Sequence, residues 1–262
     1  MLTRASSVIF TLVVCLCLAP FAGAEEFEKK FETHLFTNAE GKTLPYRLMK
    51  PENYQANSSV KYPLVLFLHG AGERGTDNVK TLVHGMREFA KDEVRDKYPC
   101  FVVAPQCPQN LRWVEVDWKL DSHEQLPDDS ATMKLVLELL PKLQRELRFD
   151  ENRLYVTGLS MGGFGTWDLI TRHPDLFAAA APICAGGDES VAHKAVKLPI
   201  WTFHGDADTI CKVSRSRNMV VALVKAGGTP IYTEYPGMNH ASWISAYGDP
   251  RLMEWLFAQR KP

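Results

Sequence analysis

The sequence predicts an α/β fold: a mostly parallel sheet of about eight strands with helices on both faces. Three observations carry that prediction. Strand-like and helix-like segments alternate along the chain from residue 31 onward, which is the pattern of helices packed over a parallel sheet. Residues 61–68, KYPLVLFL, form a nearly unbroken apolar run of the kind found in a strand buried on both faces. The connections are short except for residues 106–129, and there are no repeats or low-complexity tracts to suggest another architecture.

The first 24 of the 262 residues read as a secretory signal, with Arg4 at the positive end, an apolar run from Val8 to Leu18, and Ala22-Gly23-Ala24 as a small-residue cleavage site. The run is too short for a membrane span. A secreted or periplasmic mature chain of residues 25–262 is therefore expected, as one catalytic domain. Two early strands follow at 31–37 and 44–49, joined by a turn at Asn38 to Gly41. After KYPLVLFL come strands at 101–105 (FVVAP), 153–158 (RLYVTG), 177–183 (FAAAAPI), 199–204 (PIWTFH) and 231–235 (IYTEY). Met133, Val136, Leu137, Leu140, Leu143 and Leu147 recur at steps of three and four, giving a helix capped by Asp128, Asp129 or Ser130, with a kink expected at Pro141. Val213 to Ala226 is a second helix, ended by Gly227-Gly228.

A net charge of −1 with mixed signs argues against a nucleic-acid partner, which would call for a basic patch. No CxxC, HExxH or EF-hand spacing occurs, so neither a metal nor a cofactor is expected. Cys100 and Cys107 flank an extended segment, and seven steps at roughly 3.3 Å would hold them far beyond the ~7 Å limit for a disulfide.

Gly158-Leu159-Ser160-Met161-Gly162 matches G-x-S-x-G. Three fixed positions arise by chance in roughly one chain in ten of this length, so the pattern alone is weak. Its setting strengthens it: a strand precedes it and a helical pattern from Gly163 through Ile170 follows. A turn that sharp needs glycine where a Cβ would clash, and it pushes the Ser160 hydroxyl out at the strand's carboxyl end.

A serine hydroxyl needs a base to become a good nucleophile. Of eight histidines, His34, His84, His123 and His193 lie in polar surroundings and read as surface residues, His69 and His204 precede glycines at strand ends, and His173 sits in a helix-end HPD. His240, in the loop Pro236 to His240 after the last strand, reaches the edge where Ser160 emerges and is the expected base. Its carboxylate partner comes from His204-Gly205-Asp206-Ala207-Asp208, where Asp208 is favoured and Asp206 is the alternative. An oxyanion needs two backbone N–H donors. Met161 follows the nucleophile, and Ala71 leads the choices in the glycine-rich loop His69 to Gly75. The long connection carries Trp113 and Trp118; at least one of them is expected to line the cleft wall as a stacking surface for a sugar or an aromatic acyl ring, the alternative being that they pack the loop onto the domain or serve a crystal or oligomer contact.

FLHGAGERG, VTGLSMGGFGTW, HGDAD and GMNH resemble the motifs of the α/β-hydrolase superfamily. The sequence is most similar to exported prolyl-oligopeptidase-like and dienelactone-hydrolase-like esterases, a group that includes polyhydroxybutyrate-depolymerase-like and feruloyl-esterase-like proteins. The resemblance covers nearly the whole mature chain. It implies an α/β-hydrolase fold without a lid domain, nucleophile Ser160, base His240, acid Asp208 and oxyanion donors Ala71 and Met161. It also implies a cofactor-free serine esterase acting on short-chain or aromatic esters, with plant polysaccharides or polyesters as sources. One departure is Asp208-Thr209-Ile210-Cys211, which has a cysteine in a loop that often lacks one. Cys211 with Cys184, at the end of the preceding strand, is thereby the candidate disulfide. The rival readings are a serine peptidase using the same triad and a non-catalytic binding module, for which a broken triad would be expected.

Overall fold

The computed structural model describes residues 26–261; the expected signal segment, 1–24, lies outside the described residues. Eight strands form one sheet in the order β1-β2-β4-β3-β5-β6-β7-β8. They are β1 Phe31–Thr37, β2 Thr43–Met49, β3 Leu64–Leu68, β4 Phe101–Pro105, β5 Leu154–Leu159, β6 Ala179–Ile183, β7 Trp201–Gly205 and β8 Ile231–Tyr235. β2 runs antiparallel to both β1 and β4, and every other pairing is parallel. This is the α/β-hydrolase architecture that the motifs imply.

The central strands explain themselves by their alternation. Leu64, Leu66 and Leu68 of β3 face one core, and Val65 and Phe67 face the other. β4 divides in the same way, with Phe101 and Val103 on one side and Val102 and Ala104 on the other. Because both sides are buried, these strands read as continuous apolar runs. Three long helices cover the first face: α1 Ala131–Leu147, α2 Met161–Arg172 and α3 Ser214–Lys225. The second face is covered by α4, Pro250–Ala258, together with residues of the short helices Met86–Phe89 and Trp243–Gly248.

Ser130 caps α1 by accepting a hydrogen bond from the Met133 N–H at 3.1 Å, which settles the choice among the three capping residues. α1 is continuous through Pro141. α3 ends before Gly227, whose φ of +92° lies in the region glycine favours. α2 begins directly after Ser160, two residues earlier than its apolar pattern suggests.

The topology places the site. β3, β5, β7 and β8 run in one direction, so the loops that leave their carboxyl ends share one edge of the sheet. Those loops carry Ala71, Ser160, Asp208 and His240 respectively.

Candidate active site

Ser160 sits at a strained turn between β5 and α2, with φ +52° and ψ −118°. A non-glycine residue holds such angles only when its surroundings force them, and strain of this kind clusters at functional sites. The neighbouring glycines supply the force. A Cβ on Gly162 would lie 1.9 Å from the Leu68 carbonyl oxygen, and one on Gly158 would lie 2.4 Å from the Gly162 oxygen. β3, β5 and α2 therefore meet at a distance only bare backbone allows, and the serine is turned outward.

His240 Nε2 lies 2.9 Å from Ser160 Oγ, and His240 Nδ1 lies 2.7 Å from Asp208 Oδ2. The carboxylate can only accept, so Nδ1 carries the proton and Nε2 is left to accept from the serine hydroxyl. The Asp208 side chain has no exposed surface, while His240 retains 19% of its own. Burial pushes the Asp208 carboxyl upward, but hydrogen bonds from His204, His240 and the backbone N–H groups of Cys211 and Ile210 outweigh it and hold the group well below the usual carboxylate range. Asp208 is thus an ionised acceptor under ordinary conditions.

Asp206 has a different task. Its Oδ1 accepts the Gly237 N–H at 2.6 Å and ties the Asp208 loop to the loop that carries His240. Gly205 makes the two loops touch, since a Cβ there would meet the Met238 carbonyl oxygen at 2.2 Å.

Met161 is the first residue of α2, and Ala71 is the first residue of the short 3-10 turn Ala71–Glu73. Neither N–H has a partner within its own helix, so both are available at the edge where Ser160 stands. His69 and Arg74 brace that turn. The Cys107 N–H donates to His69 Nε2 at 2.9 Å, His69 Nδ1 donates to the Gly70 carbonyl at 2.6 Å, and Arg74 Nε donates to the Ala71 carbonyl at 2.9 Å. Burial pushes the His69 imidazole down to about 4, which keeps it neutral. Glu73 folds back over the same turn 3.6 Å from His84, and burial raises its carboxyl against the opposing pull of His84.

Two expectations are corrected. Trp113 has no exposed surface; its indole N–H donates to the His69 carbonyl at 2.9 Å and it packs beneath the loop that follows β3, so it cannot stack on a substrate. The space it fills exists because α2 carries glycine at 165, where a Cβ would lie 2.6 Å from Trp113 Cβ. Cys184 and Cys211 are both free and buried, with no bridge between them. The Cys184 thiol lies near Cys211 and Ser242, and the Cys211 thiol lies near Ser160, but the two sulfurs are not joined.

Trp118 is half-buried against the first core, with the Arg112 guanidinium 4.4 Å from its ring centroid. The long connection is held to the helices further along, where the buried Arg215 donates to the Leu120 carbonyl and Gln125 bonds Asp168 and Thr171. Two residues beside the triad were not evident from sequence. Trp243 meets His240 edge-on at 5.3 Å, and the His84 ring lies 5.2 Å from Trp243, although its polar sequence context reads as plain surface. The spacing of three from His240 to Trp243 on a helical turn is the signal that would have found the tryptophan. Among the described residues no cluster of His, Cys, Asp and Glu suits a metal ion, and no helix is long and apolar enough to cross a membrane.

The sequence pattern of the family described as "Putative esterase" matches residues 37–243. A rice protein (Oryza sativa subsp. japonica) named "Probable carboxylesterase" is 27% identical over 194 residues, covering 68% of this chain and 71% of its own. Among solved structures, a thermostable esterase superposes with a TM-score of 0.81 at 42% identity over 89% of this chain; the chain spans only 64% of that protein's length. A ferulic acid esterase shares the fold with a TM-score of 0.64 at 19% identity, covering 87% of this chain and 96% of its own. The chain belongs to this family of esterases.

Proposed function

We propose that this member of the esterase family is an exported serine hydrolase that cleaves short-chain or aromatic carboxylic esters through an acyl-enzyme, without a cofactor. The observation that carries the reading is the unbroken relay from Ser160 Oγ to His240 Nε2 at 2.9 Å and from His240 Nδ1 to the buried Asp208 at 2.7 Å.

The chemistry follows from the geometry. Ser160 Oγ attacks the ester carbonyl as His240 Nε2 takes its proton, and Asp208 stabilises the resulting imidazolium. The carbonyl oxygen becomes an oxyanion facing the N–H groups of Met161 and Ala71, at the positive end of α2. Collapse expels the alcohol, which leaves with the proton from His240, and the acyl group stays on Ser160. Water then attacks the acyl-enzyme with His240 again as base, releasing the acid and restoring the serine.

The preference for short or aromatic acyl groups is supported by what covers the cleft. A common place for an apolar lid is the interval between β6 and β7, and here its only helical element is the 3-10 turn Glu189–Ala195. Without a lid to bind a long chain, octanoyl esters are expected to react more slowly than butyryl esters. Trp118 is proposed to contribute to the cleft wall at its half-exposed edge. Rates on acetyl, butyryl, octanoyl, feruloyl and peptide substrates, measured side by side, test the assignment. Faster turnover of peptides than of any ester would replace it with the peptidase reading, and failure of a fluorophosphonate to label the chain would remove the serine mechanism.

A further inference from the structure

The triad ends on Asp208 only if Asp208 has no further partner, and it has one. His204, the last residue but one of β7, is fully buried and places Nε2 3.1 Å from the same Oδ2 that accepts from His240. The same Nε2 lies 2.9 Å from the Cys211 carbonyl oxygen, which can only accept. His204 Nε2 therefore carries a proton and shares it between the carbonyl and the carboxylate. On the other side of the ring, Nδ1 lies 2.7 Å from Ser216 Oγ on α3, and Ser216 Oγ lies 2.7 Å from the Ala185 carbonyl. The ring is thus held at both nitrogens.

The result is an aspartate with four N–H donors. Oδ2 receives His240 and His204, and Oδ1 receives the backbone N–H groups of Ile210 and Cys211 at 2.8 and 3.0 Å. A carboxylate accepts about four hydrogen bonds, so its orientation is fully determined. Without His204, Oδ2 would keep only the bond from His240, the residue that must gain and lose charge during turnover.

We propose that His204 is a positioning residue for the ester hydrolysis, a second histidine on Asp208 that fixes the carboxylate and draws off part of its charge from His240. The proposal rests on the triad reading above. It has a consequence for pH dependence. Asp208 stabilises the charged form of His240, and a second donor on the same oxygen weakens that stabilisation. Removing His204 leaves Asp208 with more charge for His240, so the pH at which His240 loses its proton rises. The sign is the same whether the His204 ring is neutral or charged, because both forms donate from Nε2. The other titratable or charged groups around His204 are Cys211 in its own loop, Cys184 after β6, Arg215 beside Ser216 on α3, and Glu234, its parallel neighbour on β8. Glu234 is already engaged by Arg217 and Tyr232, and the Arg217 guanidinium above all holds its carboxyl down at about 2.

The test uses His204→Phe, His204→Gln and Ser216→Ala, with Ser160→Ala as the reference for the triad, all in the full chain and assayed on a soluble acetyl ester from pH 5 to 9. His204→Phe is expected to lower kcat about tenfold to a hundredfold with KM unchanged, the loss of one hydrogen bond to a charged group. It is also expected to move the acid limb of kcat/KM to higher pH. His204→Gln, which can return an N–H to Asp208, should recover part of both effects. Ser216→Ala frees the far nitrogen only; it should shift the limb in the same direction by less, and it keeps the test alive if the phenylalanine variant does not fold. An acid limb unmoved in the folded variants, with kcat lowered alone or unchanged, overturns the proposal and leaves the triad intact. Activity retained by Ser160→Ala overturns the triad itself, a separate and recognisable failure.

Discussion

His240 Nδ1 lies 2.7 Å from Asp208 Oδ2, and the carboxylate it meets is entirely out of solvent. A buried anion tolerates that position because every oxygen has a donor, and the imidazole gains a fixed tautomer. Replacing Asp208 with Asn should leave the backbone in place, yet lower kcat on an ester by on the order of 10⁴-fold, because the amide favours the wrong tautomer of His240. Steady-state kinetics against wild type measure it; a loss under tenfold would contradict the role.

The same aspartate links stability to pH. Its carboxyl is held below the ordinary value in the folded chain, so it adds stability above an unfolded-state value of about 3.9 and loses that contribution as the pH falls through the folded-state value. The stability gap between wild type and Asp208→Asn, from urea unfolding, should be full at pH 7 and shrink below about pH 4. A gap that does not change between pH 7 and pH 3 would show that the charge contributes nothing.

Trp113 should behave as a core residue. Trp113→Ala is expected to cost about 3 to 5 kcal/mol and to lower the melting temperature by about 10 °C. Any loss of turnover should be equal on acetyl and feruloyl esters. A selective rise of KM for the feruloyl ester at an unchanged melting temperature would restore the stacking role that its sequence context suggests.

The thiols of Cys100, Cys107, Cys184 and Cys211 are buried, and burial pushes those of Cys100, Cys107 and Cys211 up to about 12 and that of Cys184 well above the usual thiol range. Few are thiolates at pH 8, so native protein should leave all four unmodified by iodoacetamide while unfolded protein reacts at each. Peptide mass mapping reads this without reducing agent, and a Cys184–Cys211 bridge would appear as a linked pair.

Glycine contacts give a sharp contrast. Gly162→Ala drives a methyl group to 1.9 Å from the Leu68 carbonyl oxygen and should yield insoluble or unfolded chain. Gly72→Ala, with nothing within 4 Å of the new atom, should fold with a melting temperature close to wild type, as circular dichroism would show.

What was legible in the sequence was what local chemistry dictates. Ser160 stands between glycines that a strand-to-helix turn requires, and β3 announces its double burial by its apolar run. His240 and Asp208 were legible because loops after parallel strands must share an edge. The burial of Trp113 was not legible, because it sits among Arg112, Glu115 and Asp117 while the groups it packs against, His69 and the bare backbone of Gly165, lie far away in the chain. The second histidine on Asp208 was equally hidden: His204 reads as a residue before a glycine, and its function depends on where Cys211 and Ser216 place a carbonyl and a hydroxyl.

The acyl-enzyme on Ser160 is tested most directly by a rapid quench with nitrophenyl acetate followed by peptide mass spectrometry. One added acetyl group is expected on the peptide that contains Ser160, formed in a burst before steady turnover and absent from Ser160→Ala. An acetyl group on another residue, or steady hydrolysis with no acylated peptide at any quench time, would contradict it.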